Sequence, residues 1–88
     1  MDIRLRILRR IIEIGECQKY RIKYEAAFSI AFNEPRIDLI VFSGVGDDVV
    51  MLDSYTKYGL DDEKAVFEWL DMWRERIEEE RKFETNRH

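Results

Sequence analysis

Over residues 19–32, KYRIKYEAAFSIAF, every second residue is apolar. Strand side chains alternate between faces, so Tyr20, Ile22, Tyr24, Ala26, Phe28, Ile30 and Phe32 form one row of an extended segment. So long an apolar row needs a cover, which commits the chain to a sheet with one buried face. The opposite row changes character halfway. Lys19, Arg21, Lys23 and Glu25 give way to Ala27, Ser29 and Ala31. The charged half bends away, pairs with another chain or stands in solvent, and the small half reads as the floor of a contact.

The cover comes from two amphipathic stretches. In residues 3–14, IRLRILRRIIEI, Ile3, Ile7, Ile11 and Ile14 form a helical stripe broadened by Leu5, Leu8 and Ile12. Asp2 can cap this helix and Gly15 can stop it. A second helix is predicted from about Asp62 to Phe83, where Val66, Leu70, Trp73 and Ile77 recur on one face and Asp61 or Asp62 caps the start. Between the helices, NEPR marks a turn, IDLIVF (37–42) a second strand, SGVGDD a loop and VVMLDSYT (49–56) a third strand. The predicted fold is α+β, in the order α-β-β-β-α: a three-stranded antiparallel meander with two helices packed on one face.

A hairpin turning at NEPR would pair Phe32 with Ile37, Ile30 with Leu39 and Phe28 with Val41 on the covered face. Val50, Leu52 and Ser54 would join them there. Ala27, Ser29 and Ala31 would then lie on the second face near Ile40, Phe42, Val49, Met51 and Tyr55, with Asp53 among them. That face reads as an apolar patch of the kind that marks an interface. Residues 19–25 would overhang the shorter second strand.

Eighty-eight residues make one domain, with residues 84–88 expected to fray. Hydrophobic residues are 45% of the chain, enough for a core. Charged residues are 39%, against about 25% in an average domain, a balance that thermophile proteins show. The longest apolar runs, LIVF and VVML, are too short to span a bilayer, and no signal-peptide core is present. Cytoplasm is the default compartment, or host cytoplasm for a viral product. Residues 1–24 carry seven bases and three acids, net +4; the remainder carries eight bases and sixteen acids, net −8. A chain so polarised can pair its own ends, pair with a copy, or present one sign to a partner.

Catalytic material is sparse. His88 is the only histidine and Cys17 the only cysteine, so neither an internal disulfide nor a zinc-ligand spacing exists. Asp47–Asp48 and Asp61–Asp62 do not fit a calcium loop. The GVG of SGVGDD opens a strand rather than a helix, beside two acids that would repel phosphate. No catalytic residue, metal site or cofactor is expected. KYRIKY interleaves bases with aromatics, so a nucleic-acid reading would use Lys19, Arg21 and Lys23 with Arg9 and Arg10. On one strand, however, the bases and the tyrosines point to opposite faces. On the last helix, Trp69, Met72 and Arg76 form a shoulder of residue types that interfaces favour.

The α-β-β-β-α order resembles the double-stranded-RNA-binding domain in topology and length. In that family, lysines at the start of the last helix clamp phosphates; here the matching stretch reads GLDDEKAV, with acids in their place and one lysine, Lys64. Size, acidity and order also resemble some small phage-encoded inhibitors, including certain anti-CRISPR proteins. The expected function is a non-enzymatic, small acidic protein-interaction module, a homodimer, that covers a partner surface. The alternatives are a virus- or mobile-element-encoded inhibitor that blocks a nucleic-acid-binding protein with its acidic surface, and direct nucleic-acid binding.

Overall fold

The computed structural model describes residues 2–44 and 46–85; His88 lies outside them. The elements are α1 (Ile3–Ile14), β1 (Arg21–Ser29), β2 (Glu34–Ser43), a 3-10 turn (Gly46–Asp48), β3 (Val50–Tyr58) and α2 (Lys64–Thr85). The strands form one antiparallel sheet in the order β1-β2-β3. Both helices cover the same face, so the expected α+β meander is the observed fold.

α1 begins and ends where its sequence dictates. Asp2 Oδ1 accepts the Arg4 backbone N–H at 2.7 Å, and the Asp2 carboxylate pairs with the Arg4 guanidinium at 2.9 Å. The side-chain hydrogen bond first, and the backbone one second, lower the Asp2 pKa from 3.8 to about 2. Gly15 ends the helix at φ 71, its N–H donating to the Ile11 carbonyl at 2.9 Å. The Arg81 guanidinium, reaching across from α2, takes up the Ile14 carbonyl. One face of α1 is buried through Ile3, Ile7 and Ile14, whereas Leu5 and Ile12 remain in solvent.

The core is a single layer between helices and sheet. Ile3, Ile7, Ile14 and Cys17 meet Val66, Leu70 and Ile77 over Ile37 and Leu39 of the central strand. Tyr20, Ile22, Tyr24 and Tyr55 close its margins. The uneven charge of the chain is spent on this helix–helix contact. Arg6 pairs with Glu63, Arg10 with Asp71 at 2.6 Å and Lys19 with Glu80 at 3.2 Å. Arg6 and Arg10 also lie 5.4 and 5.2 Å from the Phe67 ring centroid. Arg6, Arg10 and Lys19 therefore find their acids in the same chain.

The first hairpin corrects the expected register by six residues. Ile22 pairs with Val41, Tyr24 with Leu39 and Ala26 with Ile37. The turn is not NEPR but residues 30–33. Asn33 takes the left-handed conformation (φ 54) that asparagine tolerates, and Ser29 Oγ accepts the Phe32 N–H at 3.3 Å. Pro35 sits inside β2, opposite Phe28, and its carbonyl accepts the Gly59 N–H at 2.7 Å. Alternation is preserved because the shift is even, but the tip runs past the helices. Phe28, Ile30 and Phe32, expected in the core, are 59%, 90% and 62% exposed. No overhang exists either: Arg21–Glu25 pair with Phe42–Asp38.

β3 departs from expectation in a different way. Val41 pairs with Asp53 and Phe42 with Met51, leaving Leu52 as the extra residue of a bulge. A bulge reverses which residues face the core on its two sides. Met51 is on the open face as expected. Beyond the bulge, Asp53, Tyr55 and Lys57 face the helices, and Ser54, Thr56 and Tyr58 face away. Tyr55 therefore packs against the core rather than the open face, 5.8 Å from the Trp69 ring. Val50, Leu52 and Ser54 are exposed instead of buried.

The charged residues that the bulge turns inward arrive with partners. Asp53 Oδ2 accepts the indole N–H of Trp69 at 3.0 Å and of Trp73 at 2.9 Å, while Oδ1 takes the Ser54 N–H at 2.8 Å. The buried Lys57 ammonium donates to the Asp61 and Asp62 carbonyls. Asp61 and Asp62 thus shape the turn before α2, with Asp62 at φ 51, and the helix starts two residues later than expected. At its other end α2 continues to Thr85. Glu84, expected to fray, accepts the Gln18 backbone N–H at 3.1 Å.

Candidate functional site: the open face of the sheet

The face turned away from the helices carries Arg21, Lys23, Glu25 and Ala27 on β1, Arg36, Asp38, Ile40 and Phe42 on β2, and Met51, Ser54, Thr56 and Tyr58 on β3. Its middle is polar and internally satisfied. Asp38 pairs with Arg36 at 3.0 Å and accepts the Thr56 hydroxyl at 2.7 Å; Lys23 pairs with Glu25 at 2.9 Å. Each of these groups has a neighbour, so this region makes no strong demand for a ligand.

The two ends differ. At the hairpin end, Ala27 stands opposite Arg36 and Ser29 opposite Glu34, and Ala31 lies in the turn. These small residues do not adjoin Ile40 and Phe42, which stand opposite Lys23 and Arg21. The expected patch is therefore divided. At the other end, half-buried Ile40 and Phe42 run into Val49, Val50, Met51 and Leu52, which are 43%, 56%, 60% and 47% exposed. These four consecutive apolar residues form one exposed apolar surface at the start of the edge strand; Phe28, Ile30 and Phe32 form another at the hairpin tip.

The three residues of the helix shoulder are placed differently from one another. Trp69 is drawn inward by Asp53 and Tyr55, Arg76 lies 4.8 Å over the Trp73 ring, and Met72 is exposed on its own. Most of the bases named for nucleic acid are engaged. Lys19 holds Glu80, Arg10 holds Asp71, Lys23 holds Glu25, and Arg21 donates to the Gly44 carbonyl; Arg9 is exposed. The Glu80 bond, ahead of the Tyr20 contact, raises the Lys19 pKa and strengthens its positive form.

Cys17 is buried, and its sulfur lies 3.3 Å from the Tyr20 N–H that it accepts. Among the described residues, no group of three or more His, Cys, Asp or Glu could hold a metal ion. No helix among them is long and apolar enough to cross a membrane.

Sequence reasoning placed Val50 and Leu52 in the core and overlooked Asp53 as a structural acceptor. Signals for both were present. VVML has no alternation, which a half-buried strand requires. Trp69 and Trp73, spaced i,i+4 on a core-facing helix, bring two indole N–H groups that need an acceptor. No family model, curated protein or solved structure matches the chain.

Proposed function

We propose that the chain is a non-enzymatic protein-interaction module that covers a partner surface with the apolar end of its open sheet face. One observation carries the reading: Val49–Leu52 are exposed at the sheet edge and continuous with Ile40 and Phe42. Exposed contiguous apolar surface of this kind favours association. The nucleic-acid reading receives less support, because four of its five bases are bound within the chain. The inhibitor reading draws on the acids of α2 and on the Asp pairs: Glu63, Asp71 and Glu80 are committed to Arg6, Arg10 and Lys19, which leaves it the exposed Glu75, Glu79, Asp47 and Asp48.

A photo-crosslinking residue tests the surface directly in cells of the source organism. Placed at Met51, it should yield a discrete adduct; placed at Ile12, exposed on the opposite layer, it should not. Equal labelling at both positions, or none at either, refutes the reading. An adduct of twice the chain mass identifies a second copy as the occupant.

A further inference from the structure

We infer that this surface takes an extended apolar segment of another protein, flanked by lysine or arginine and added as a fourth strand along the outer edge of β3. The inference rests on the proposed function and names the chemistry of the partner.

Among the described residues β3 has a single neighbouring strand, β2, so half of its backbone donors and acceptors face outward. Such an edge is a template for another strand. Met51 shares the open face with Phe42, while Val50 stands opposite Ser43 on the other face. A strand laid against Val50–Leu52 would therefore meet apolar side chains on both of its faces. β1 is the second edge; Arg21 and the Lys23–Glu25 pair guard its first half with charge, whereas its second half, Ala26–Ser29, is uncharged.

Charge chooses among occupants. Asp47 and Asp48 are exposed immediately before the apolar run and Asp53 follows it; no basic residue occurs between Gly44 and Thr56. A second copy added along this edge would bring another exposed Asp47–Asp48 pair and no base within the segment, so it offers these acids no opposite charge. A strand with basic flanks meets the same acids with opposite sign.

The test uses the purified chain and a labelled peptide of five alternating valines and threonines between two lysine pairs. Fluorescence anisotropy should show binding that weakens as salt rises from about 50 to 300 mM. A peptide with glutamate flanks should bind at least about tenfold more weakly, since like charges are then opposed. Methylating alternate backbone nitrogens of the peptide should abolish binding, because it removes the strand hydrogen bonds without touching the protein. Val50→Lys and Leu52→Lys, both at exposed positions, should each weaken binding about tenfold or more with the far-UV spectrum unchanged. Amide shifts should cluster at residues 49–53.

Equal affinity for both flanks, indifference to either variant, shifts centred on β1, or a free chain already dimeric through β3 would each overturn the inference. Absence of peptide binding alongside a Met51-specific cellular adduct overturns strand addition and leaves the interaction module standing. Absence of both removes both.

Discussion

Replacing Asp53 by alanine tests how the sheet and α2 are joined. The carboxylate accepts two indole N–H groups at 3.0 and 2.9 Å, and both tryptophans belong to α2. A hydrogen bond to a charged group contributes roughly 1.5–3 kcal/mol, and an orphaned buried donor costs about 1–3 kcal/mol. Trp73 is buried and cannot recover a partner from water, whereas Trp69 is half-buried and can do so in part. The expected loss is therefore about 2–4 kcal/mol, below the sum of two full bonds. Against a total stability of about 4–13 kcal/mol for a domain of this length, that is a large fraction.

Urea unfolding followed by tryptophan fluorescence reads the effect at the residues concerned, with the midpoint falling and the slope unchanged. Asp53→Asn keeps one carbonyl oxygen for the indoles and should lose about half as much. A double-mutant cycle with Trp69→Phe should give a coupling of roughly 0.5–3 kcal/mol. An Asp53→Ala midpoint within about 0.5 kcal/mol of wild type would refute the claim that this carboxylate fixes the inward face of β3.

The register of the first hairpin predicts opposite outcomes for two isoleucines. Ile37→Ala should cost about 2–5 kcal/mol, and Ile30→Ala less than about 0.5 kcal/mol, by the same denaturation assay; comparable large losses at both positions would restore the register expected from sequence. Asp2, with its pKa lowered to about 2, contributes stability that is complete above its unfolded value of 3.8. That contribution decays as pH falls toward about 2, so Arg4 amide protection should fade across this window in wild type and lack the transition in Asp2→Asn. Exchanging the charges of Arg10 and Asp71 together should recover most of what either reversal loses, with a coupling of about 0.2–1 kcal/mol that shrinks in salt.

Periodicity carried the helices well because each has a single buried face, and α1 has clear ends besides. Ile3, Ile7 and Ile14 are buried, and Asp2 and Gly15 bound α1 as their chemistry demands. Strand alternation carried less information. It states which residues share a face, yet a shift of two, four or six residues leaves that assignment intact, so it could not say where the hairpin turns. Asn33 and Ser29, not the proline of NEPR, decide the turn. The charge-free stretch AAFSIAFN, in a chain with 39% charged residues, resembles core by composition while its position beyond the helices keeps it in solvent. The position of the bulge at Leu52 is only hinted at by the missing alternation in VVML. It depends on Asp53 finding two indoles sixteen and twenty residues away, a tertiary gain outweighing local pattern.

Charge pairing within the chain decides where the candidate site lies. A chain divided into a net +4 segment and a net −8 remainder could have presented either sign to a partner. Folding instead joins Arg6, Arg10 and Lys19 to Glu63, Asp71 and Glu80. The helix layer thereby uses much of its charge on itself. Arg36, Asp38 and Thr56 do the same for the middle of the open face. Val49–Leu52 are left as an apolar edge whose nearest charges along the chain, Asp47, Asp48 and Asp53, all carry one sign. Burial of that edge is favoured by its apolar area, and the surrounding acids bias which strand can bury it. Specificity by charge and adhesion by hydrophobic area thus fall on one short segment.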